Sequence, residues 1–231
     1  MFKYHRLIKI FAIVTALSLT SVAVLAQKQP EKPTKKLRSG SALERILSLF
    51  KARENSLITR GDVCFVSPGS VGEQTIWSDR PLFILNGEIP PATIEIYSPT
   101  TNYNYERDGQ QVWTTEISPN TKTIAYAGEQ LQPGFNYDWI LSKQNKTYDP
   151  ITFKLMPQPE RKAISSELST LEGELREGAT TEELAIAKAD YFSQRQLWSD
   201  ALQQLYSVEN PSPDLTNKIA DITQYLCESD R

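Results

Sequence analysis

Histidine is nearly missing from this chain, since His5 is the only one among the 231 residues. It lies within residues 1–26, which have the pattern of a cleaved secretory signal, so we expect the mature chain to contain no histidine. This absence excludes Ser-His-Asp and Cys-His catalysis, zinc sites that use histidine, and histidine-based pH switches.

The signal itself has three recognisable parts. Lys3, Arg6 and Lys9 make a basic start, an apolar run follows over 10–25, and small residues lead up to Ala26. The alternative is a retained anchor, which is the one way in which we expect the chain to contact a membrane. Because the run is short for a stable span, we expect cleavage after Ala26 and export to the periplasm or the outside.

The mature chain is mildly acidic and lacks the sequence motifs of common enzymes. Without the three basic residues of the signal, 22 basic residues face 28 acidic ones, a net charge of −6. Such a surface is a poor match for nucleic acid, so nucleic acid is not an expected partner. No G-x-S-x-G elbow or calcium-loop motif is present, and scattered acids do not select a glycosidase pair. We therefore expect no catalytic residue, no metal and no cofactor, and a protein that is not an enzyme.

Cysteine is also scarce, with one residue near each end of the part expected to fold. Cys64 lies in the first predicted strand and Cys227 closes the last predicted helix. Oxidation is allowed in an exported protein, so we expect a disulfide, which the chain-entropy model values at about 4–5 kcal/mol. The alternative is two separately buried thiols.

Residues 57–157 predict a β-sandwich domain, because short alternating segments are separated by turn sequences such as Asn86-Gly87 and Asp108-Gly109. The predicted strands are Asp62–Ser67, Thr75–Trp77, Leu82–Leu85, Ala92–Tyr97, Gln111–Ile117, Thr123–Ala127, Tyr137–Ser142 and Ile151–Leu155. The spacing L-x-P-x-x-x-Y from Leu131 to Tyr137 resembles the tyrosine corner of immunoglobulin-like and fibronectin-type sandwiches. That resemblance implies a buried tyrosine whose hydroxyl bonds to backbone upstream.

Helical patterns flank the β region. Residues 27–40 are expected to form a flexible basic linker. An amphipathic helix is expected over 41–56, beginning with a capping box at Ser41. We expect its apolar stripe to dock on the protein itself, and the alternatives are a partner or a membrane surface. Residues 158–231 predict four helices, forming a helical domain, and Thr180-x-x-Glu183 predicts a capping box at the start of the second of them. The expected fold class is α+β: an antiparallel, immunoglobulin/fibronectin-like β-sandwich followed by a small C-terminal α-helical bundle.

Two resemblances add to this prediction. The second and third helices of the C-terminal region resemble one tetratricopeptide hairpin, with Ala189, Phe192 and Ala201 at its characteristic positions but Ala185 where the repeat has tryptophan. Three motifs taken together resemble a cyanobacterial family of exported proteins of unknown function: Arg60-Gly61-Asp62-Val63-Cys64, Ile76-Trp77-Ser78-Asp79-Arg80-Pro81-Leu82-Phe83 and Trp198-Ser199-Asp200-Ala201-Leu202. That resemblance implies location and architecture over about residues 57–227, and no activity.

The leading functional hypothesis is a non-enzymatic exported protein-interaction protein, an adaptor or assembly protein of the cell envelope with an envelope protein as its partner. Its expected contact residues are Trp198, Leu202 and Leu205 on the helical module. The alternative is a carbohydrate-binding module that holds a polysaccharide through exposed aromatic residues of the sandwich. The aromatic residues expected for that role are Tyr103, Tyr105 and Trp113.

Overall fold

A computed structural model describes residues 39–52, 59–60, 63–69, 74–98, 109–144, 146–175 and 178–228. The predicted signal and most of the predicted linker lie outside these residues, as do Tyr103 and Tyr105. Residues Leu37–Arg231 form one compact unit of class α+β. None of the described helices is both long enough and apolar enough to cross a membrane.

Helices and strands follow the order α, then β, then α along the chain. The helices are α1 (Ser39–Ala52), α2 (Gln158–Leu175), α3 (Thr181–Gln194), α4 (Trp198–Tyr206) and α5 (Pro213–Glu228). The strands are β1 (Thr59–Arg60), β2 (Val63–Ser67), β3 (Gln74–Ile76), β4 (Leu82–Gly87), β5 (Ala92–Ser98), β6 (Gln110–Ile117), β7 (Thr123–Ala125), β8 (Asn136–Lys143), β9 (Lys146–Thr147) and β10 (Ile151–Leu155). Every predicted strand is present, with its ends shifted by at most two residues.

The strands form two sheets. One has the order β1-β2-β4-β7, and the other has the order β3-β10-β8-β5-β6 with β9 paired to β8. All pairs are antiparallel except β10 with β3, which run parallel. The prediction of an entirely antiparallel arrangement is therefore wrong at this edge, because strand direction depends on distant chain connections that the period of a strand does not encode.

Buried side chains from both sheets share one apolar cluster. Trp139 of β8 is fully buried beside Phe65 and Phe83, at ring-centroid distances of 5.2 and 5.0 Å, and its indole N–H donates to the Pro68 carbonyl at 2.9 Å. Such burial is stable because the polar indole group has a partner. The cluster includes members of both sheets, so the two sheets depend on each other for their core.

The tyrosine-corner hydrogen bond predicted from the sequence is present. Tyr137 is 3% exposed, and its hydroxyl accepts the Gln132 backbone N–H at 2.7 Å. Its ring stacks against Phe153 of the neighbouring strand β10, with centroids 5.7 Å apart. The hydroxyl thus serves a backbone donor of the preceding turn while the ring fills the core.

The helices share a second apolar cluster, which α1 completes. Leu43, Ile46 and Phe50 of α1 are each at most 1% exposed, so the predicted docking of this helix on the protein is confirmed. The Arg45 guanidinium binds the Asp190 carboxylate of α3 through Nε at 2.7 Å and also through Nη2. The predicted capping box at Ser41 is wrong, because the helix begins at Ser39 and Ser41 lies inside it.

Helix ends in the C-terminal region follow their local sequence signals. The Thr180 side chain accepts the Glu183 N–H at 3.1 Å and the Glu183 carboxylate accepts the Thr180 N–H at 2.8 Å, a reciprocal capping box. At the start of α5, Pro213 occupies the first helical position, where its missing N–H costs nothing. These signals are local, which is why the sequence predicted this part of the fold closely.

Candidate functional site

Two of the three motifs that resemble a family of exported proteins meet in space. Asp200 of α4 is 2% exposed, and its carboxylate oxygens accept the backbone N–H groups of Trp77 and Ser78, each at 2.8 Å. These donors lie between β3 and β4, over 120 residues away in sequence. Asp200 therefore joins the helical part of the chain to the β part through two hydrogen bonds to a charged acceptor.

Arg161 of α2 holds the same loop from another side. Its Nε donates to the Trp77 carbonyl at 2.8 Å, its Nη2 lies 3.0 Å from an Asp79 carboxylate oxygen, and its own carbonyl accepts the Trp77 indole N–H at 3.2 Å. Gln203 of α4 donates to the Arg80 carbonyl at 3.1 Å. The loop over residues 77–80 is thus fixed by α2 and α4.

The electrostatics of this junction are unusual for an aspartate. Burial raises the pKa of Asp200 to about 6, while the two N–H donors and the charge of Arg161 act in the opposite direction. A buried carboxyl with such a pKa is found in many active sites, but structural networks produce the same shift. Here both carboxyl oxygens are occupied by backbone donors, so the group serves the junction between the two parts of the chain.

The predicted disulfide is confirmed. Cys64 of β2 and Cys227 of α5 are joined, with their Cα atoms 5.8 Å apart and a sequence separation of 163. The bond attaches the last helix of the chain to the first long strand of the four-stranded sheet. A disulfide of this kind fits a protein outside the cytoplasm.

The residues predicted to contact a protein partner lie in the helical core. Leu202 is 1% exposed and Leu205 is 0% exposed. Trp198 is partly buried and packs against Phe50 of α1, with ring centroids 4.9 Å apart. The three residues are therefore together on α4, but α1 and the neighbouring helices already cover them.

Of the residues predicted to bind carbohydrate, only Trp113 lies within the described part of the chain. Its ring is partly buried, stacks on Phe83 at 6.1 Å between centroids, and meets Tyr126 edge-on at 5.1 Å. Two core rings thus occupy part of its surface. Tyr103 and Tyr105 lie outside the described residues, so their role in sugar binding stays a prediction.

Sequence patterns alone did not single out the outer edge of the six-stranded sheet. Strand β6 ends the strand order, so among the described strands it has a neighbour, β5, on one side only. Gln110, Gln111, Val112, Thr114 and Glu116 are exposed along it, and Val112 is one of two large apolar side chains above one third exposed in the described chain. An edge of this length presents backbone donors and acceptors that pair with another extended strand.

A bulge divides this edge strand. Trp113 faces Ile96 of β5 and Gln111 faces Tyr97, so Val112 is an extra residue on β6. Bulges disturb strand pairing locally. The regular part of the edge is therefore the five-residue segment Trp113–Ile117, which Ser118 and Pro119 follow.

One shallow pocket of ≈ 400 Å³ lies at the end of the six-stranded sheet where β8 turns into β9. It is lined by Pro90, Lys143, Gln144 and Lys146, and the Lys146 ammonium lies 4.6 Å from the centre of the Tyr148 ring. Two lysines make the pocket positively charged. Among the described residues, no group of three or more histidine, cysteine or acidic side chains is placed to hold a metal ion.

No protein-family model, curated protein or solved structure matches this chain. The family resemblance therefore rests on the residues of its three motifs alone. The structural features that bear on function are the disulfide, the junction at Asp200 and the edge of β6.

Proposed function

We propose that this chain is a non-enzymatic, exported interaction protein of the cell envelope, and that it contacts its partner through the edge of β6. In this proposal residues 1–26 are a secretory signal. The two sheets form an immunoglobulin-like sandwich, the C-terminal helices form a small bundle, and the chain belongs with the exported proteins that its three motifs resemble. The contact surface moves from the helical face to the sheet, because Leu202 and Leu205 are buried.

The exposed edge of β6 is the observation that carries the proposal. Its eight residues are rich in threonine, glutamine and apolar side chains, and Glu116 is the single charge among them. Soluble proteins usually protect an edge of this length with lysine, proline or a covering element. β6 has neither lysine nor proline, and main-chain hydrogen bonds to an added strand would supply affinity with little demand on side-chain complementarity.

Export is supported by the disulfide between Cys64 and Cys227, since such bonds persist in oxidising compartments. The bond also attaches α5, against which α1 packs: the Tyr225 hydroxyl donates to the Lys51 carbonyl at 2.9 Å. The helical part is thereby anchored to the four-stranded sheet, whereas β6 lies at the edge of the other sheet. A disulfide-linked fold whose longest edge strand is open suits an adaptor.

Site-specific photo-crosslinking in native envelopes tests the proposal. A photoreactive residue replaces Thr114 of β6 in one variant and Thr123 of β7 in the matched control, both exposed positions on sheet edges. The proposal predicts one dominant adduct with a protein at position 114 and none of that mass at position 123. Equal labelling at both positions, or adducts only with polysaccharide, would contradict it.

A further inference from the structure

We propose that the partner of the β6 edge is a second copy of this chain, so that the two copies pair through their Trp113–Ile117 segments in antiparallel fashion around a twofold axis at Thr115. The inference rests on the proposed function, because it names the occupant of the same edge. A twofold interface requires a surface that is complementary to itself. The Trp113–Ile117 segment must therefore make compatible side-chain pairs with a second copy of itself that runs in the opposite direction.

The segment satisfies that requirement. In an antiparallel pair centred on Thr115, each residue faces the one equally distant from the centre: Thr115 faces Thr115, Trp113 faces Ile117, and Thr114 faces Glu116. An aromatic residue opposite a β-branched one, two threonines opposite each other, and a hydroxyl opposite a carboxylate are all favourable cross-strand pairs. Every one of the five residues has a compatible partner.

Charge selects this register over the one centred on Glu116. The mature chain has a net charge of −6, so general electrostatics oppose association of two copies. The single carboxylate of β6, Glu116, faces a threonine in the register centred on Thr115. A pair centred on Glu116 itself would place two carboxylates opposite each other, which destabilises strand pairing.

Local structure limits the pairing segment to these five residues. The extra residue Val112 disturbs the strand on one side of it, and Pro119, which has no N–H to donate, follows Ser118 on the other. Because the length and the ends of the regular segment are set in this way, its centre falls on Thr115. A shifted register would leave members of the segment without a partner.

The side chains of the segment alternate between the two faces of the sheet, so each face contains different cross-strand pairs. Trp113, Thr115 and Ile117 face Ile96, Ile94 and Ala92 of β5, respectively, and therefore lie on the core side of the sheet. The partly exposed ring of Trp113 would cover Ile117 of the second copy there. Thr114 and Glu116 are exposed on the opposite face, where substitution leaves the core intact.

Opposite charges at position 114 provide the test, with dimer dissociation measured by analytical ultracentrifugation of the mature, disulfide-bonded chain. Thr114→Lys would place an ammonium opposite each Glu116, and Thr114→Glu would place two carboxylates opposite each other. We expect the dissociation constant to fall with lysine and to rise with glutamate, by about 2-fold to about 30-fold in each direction. Thr123→Lys and Thr123→Glu on β7 are the matched controls. We do not expect these two substitutions to change the dissociation constant in opposite directions.

Two results would overturn the inference. One is a wild-type chain that stays monomeric at about 100 μM, where even a weak specific dimer is populated. The other is a dimer that responds equally to lysine and glutamate at position 114. If the chain is monomeric while crosslinking at position 114 still captures a different protein, the self-pairing fails and the proposed function survives. If both measurements are negative, both fail.

Discussion

The buried carboxyl of Asp200 makes stability depend on pH in a direction opposite to that of most paired aspartates. Its pKa is raised from 3.8 to about 6 by burial, so the folded chain holds a proton on Asp200 over a pH range in which the unfolded chain has lost it. Stability from this group is therefore fully present below about pH 4. It is lost as the pH rises through the window from 3.8 to about 6.

The size of this effect follows from the shift. Each pKa unit corresponds to about 1.4 kcal/mol, so the whole window amounts to about 3 kcal/mol. Between about pH 7.5 and about pH 4.5 the contribution of Asp200 to the free energy of unfolding should increase by about 2 kcal/mol. Asp200→Asn removes this titration, and it also lowers stability at every pH because the amide nitrogen cannot accept the N–H of Trp77 or Ser78.

Urea unfolding of the disulfide-bonded chain at several pH values measures the effect. The quantity of interest is the difference in unfolding free energy between wild type and Asp200→Asn, which cancels the titration of all other groups. This difference should grow by about 2 kcal/mol on acidification from about pH 7.5 to about pH 4.5. A difference that is constant or that shrinks on acidification would refute the reasoning.

Three further predictions concern the backbone, the disulfide and export. Gly69→Ala should destabilise the chain by about 2–5 kcal/mol in urea unfolding, because a Cβ there would lie 1.9 Å from the Ile151 Cγ2 atom and φ is +109°. Gly134→Ala is the control, since φ is +87° there but the space around it is open, and it should cost only about 1–2 kcal/mol. Equal costs for the two variants would contradict the steric account. Replacing both cysteines of the disulfide with serine should lower the unfolding free energy by about 4–5 kcal/mol, and reduction of the wild type should match it. Mass spectrometry of the exported protein should find Gln27 as its first residue, whereas an intact Met1 would contradict cleavage.

Local sequence signals predicted the individual elements well. The helix starting after Thr180 has the predicted capping box, and the turn before Tyr137 has the predicted hydroxyl-to-backbone bond. Both features depend on residues at most five positions apart, so the pattern contains the whole interaction. The two-residue strand β9 was missed because so short a strand has no detectable period.

Interactions between distant residues could not be predicted in the same way. The parallel pairing of β3 with β10 and the binding of Asp200 to the 77–78 backbone both join residues far apart in the chain. The sequence predicted that the apolar face of α4 contacts a partner, yet α1 covers that face. Hydrophobic spacing indicates that a helix face is buried, but it does not indicate which element buries it. The exposure of β6 likewise follows from strand order, which no single segment encodes.

Hydrogen–deuterium exchange across β6 tests the central claim most directly, because strand addition acts through the backbone amides of the edge. The mature protein is labelled alone at low concentration, alone at high concentration, and with purified native envelope, and peptides covering 110–117 and 123–125 are compared. We predict slower exchange in the β6 peptide at high protein concentration or on adding envelope, with the β7 peptide unchanged. Unchanged exchange in β6 alongside slower exchange elsewhere would contradict the claim that this edge is the contact surface.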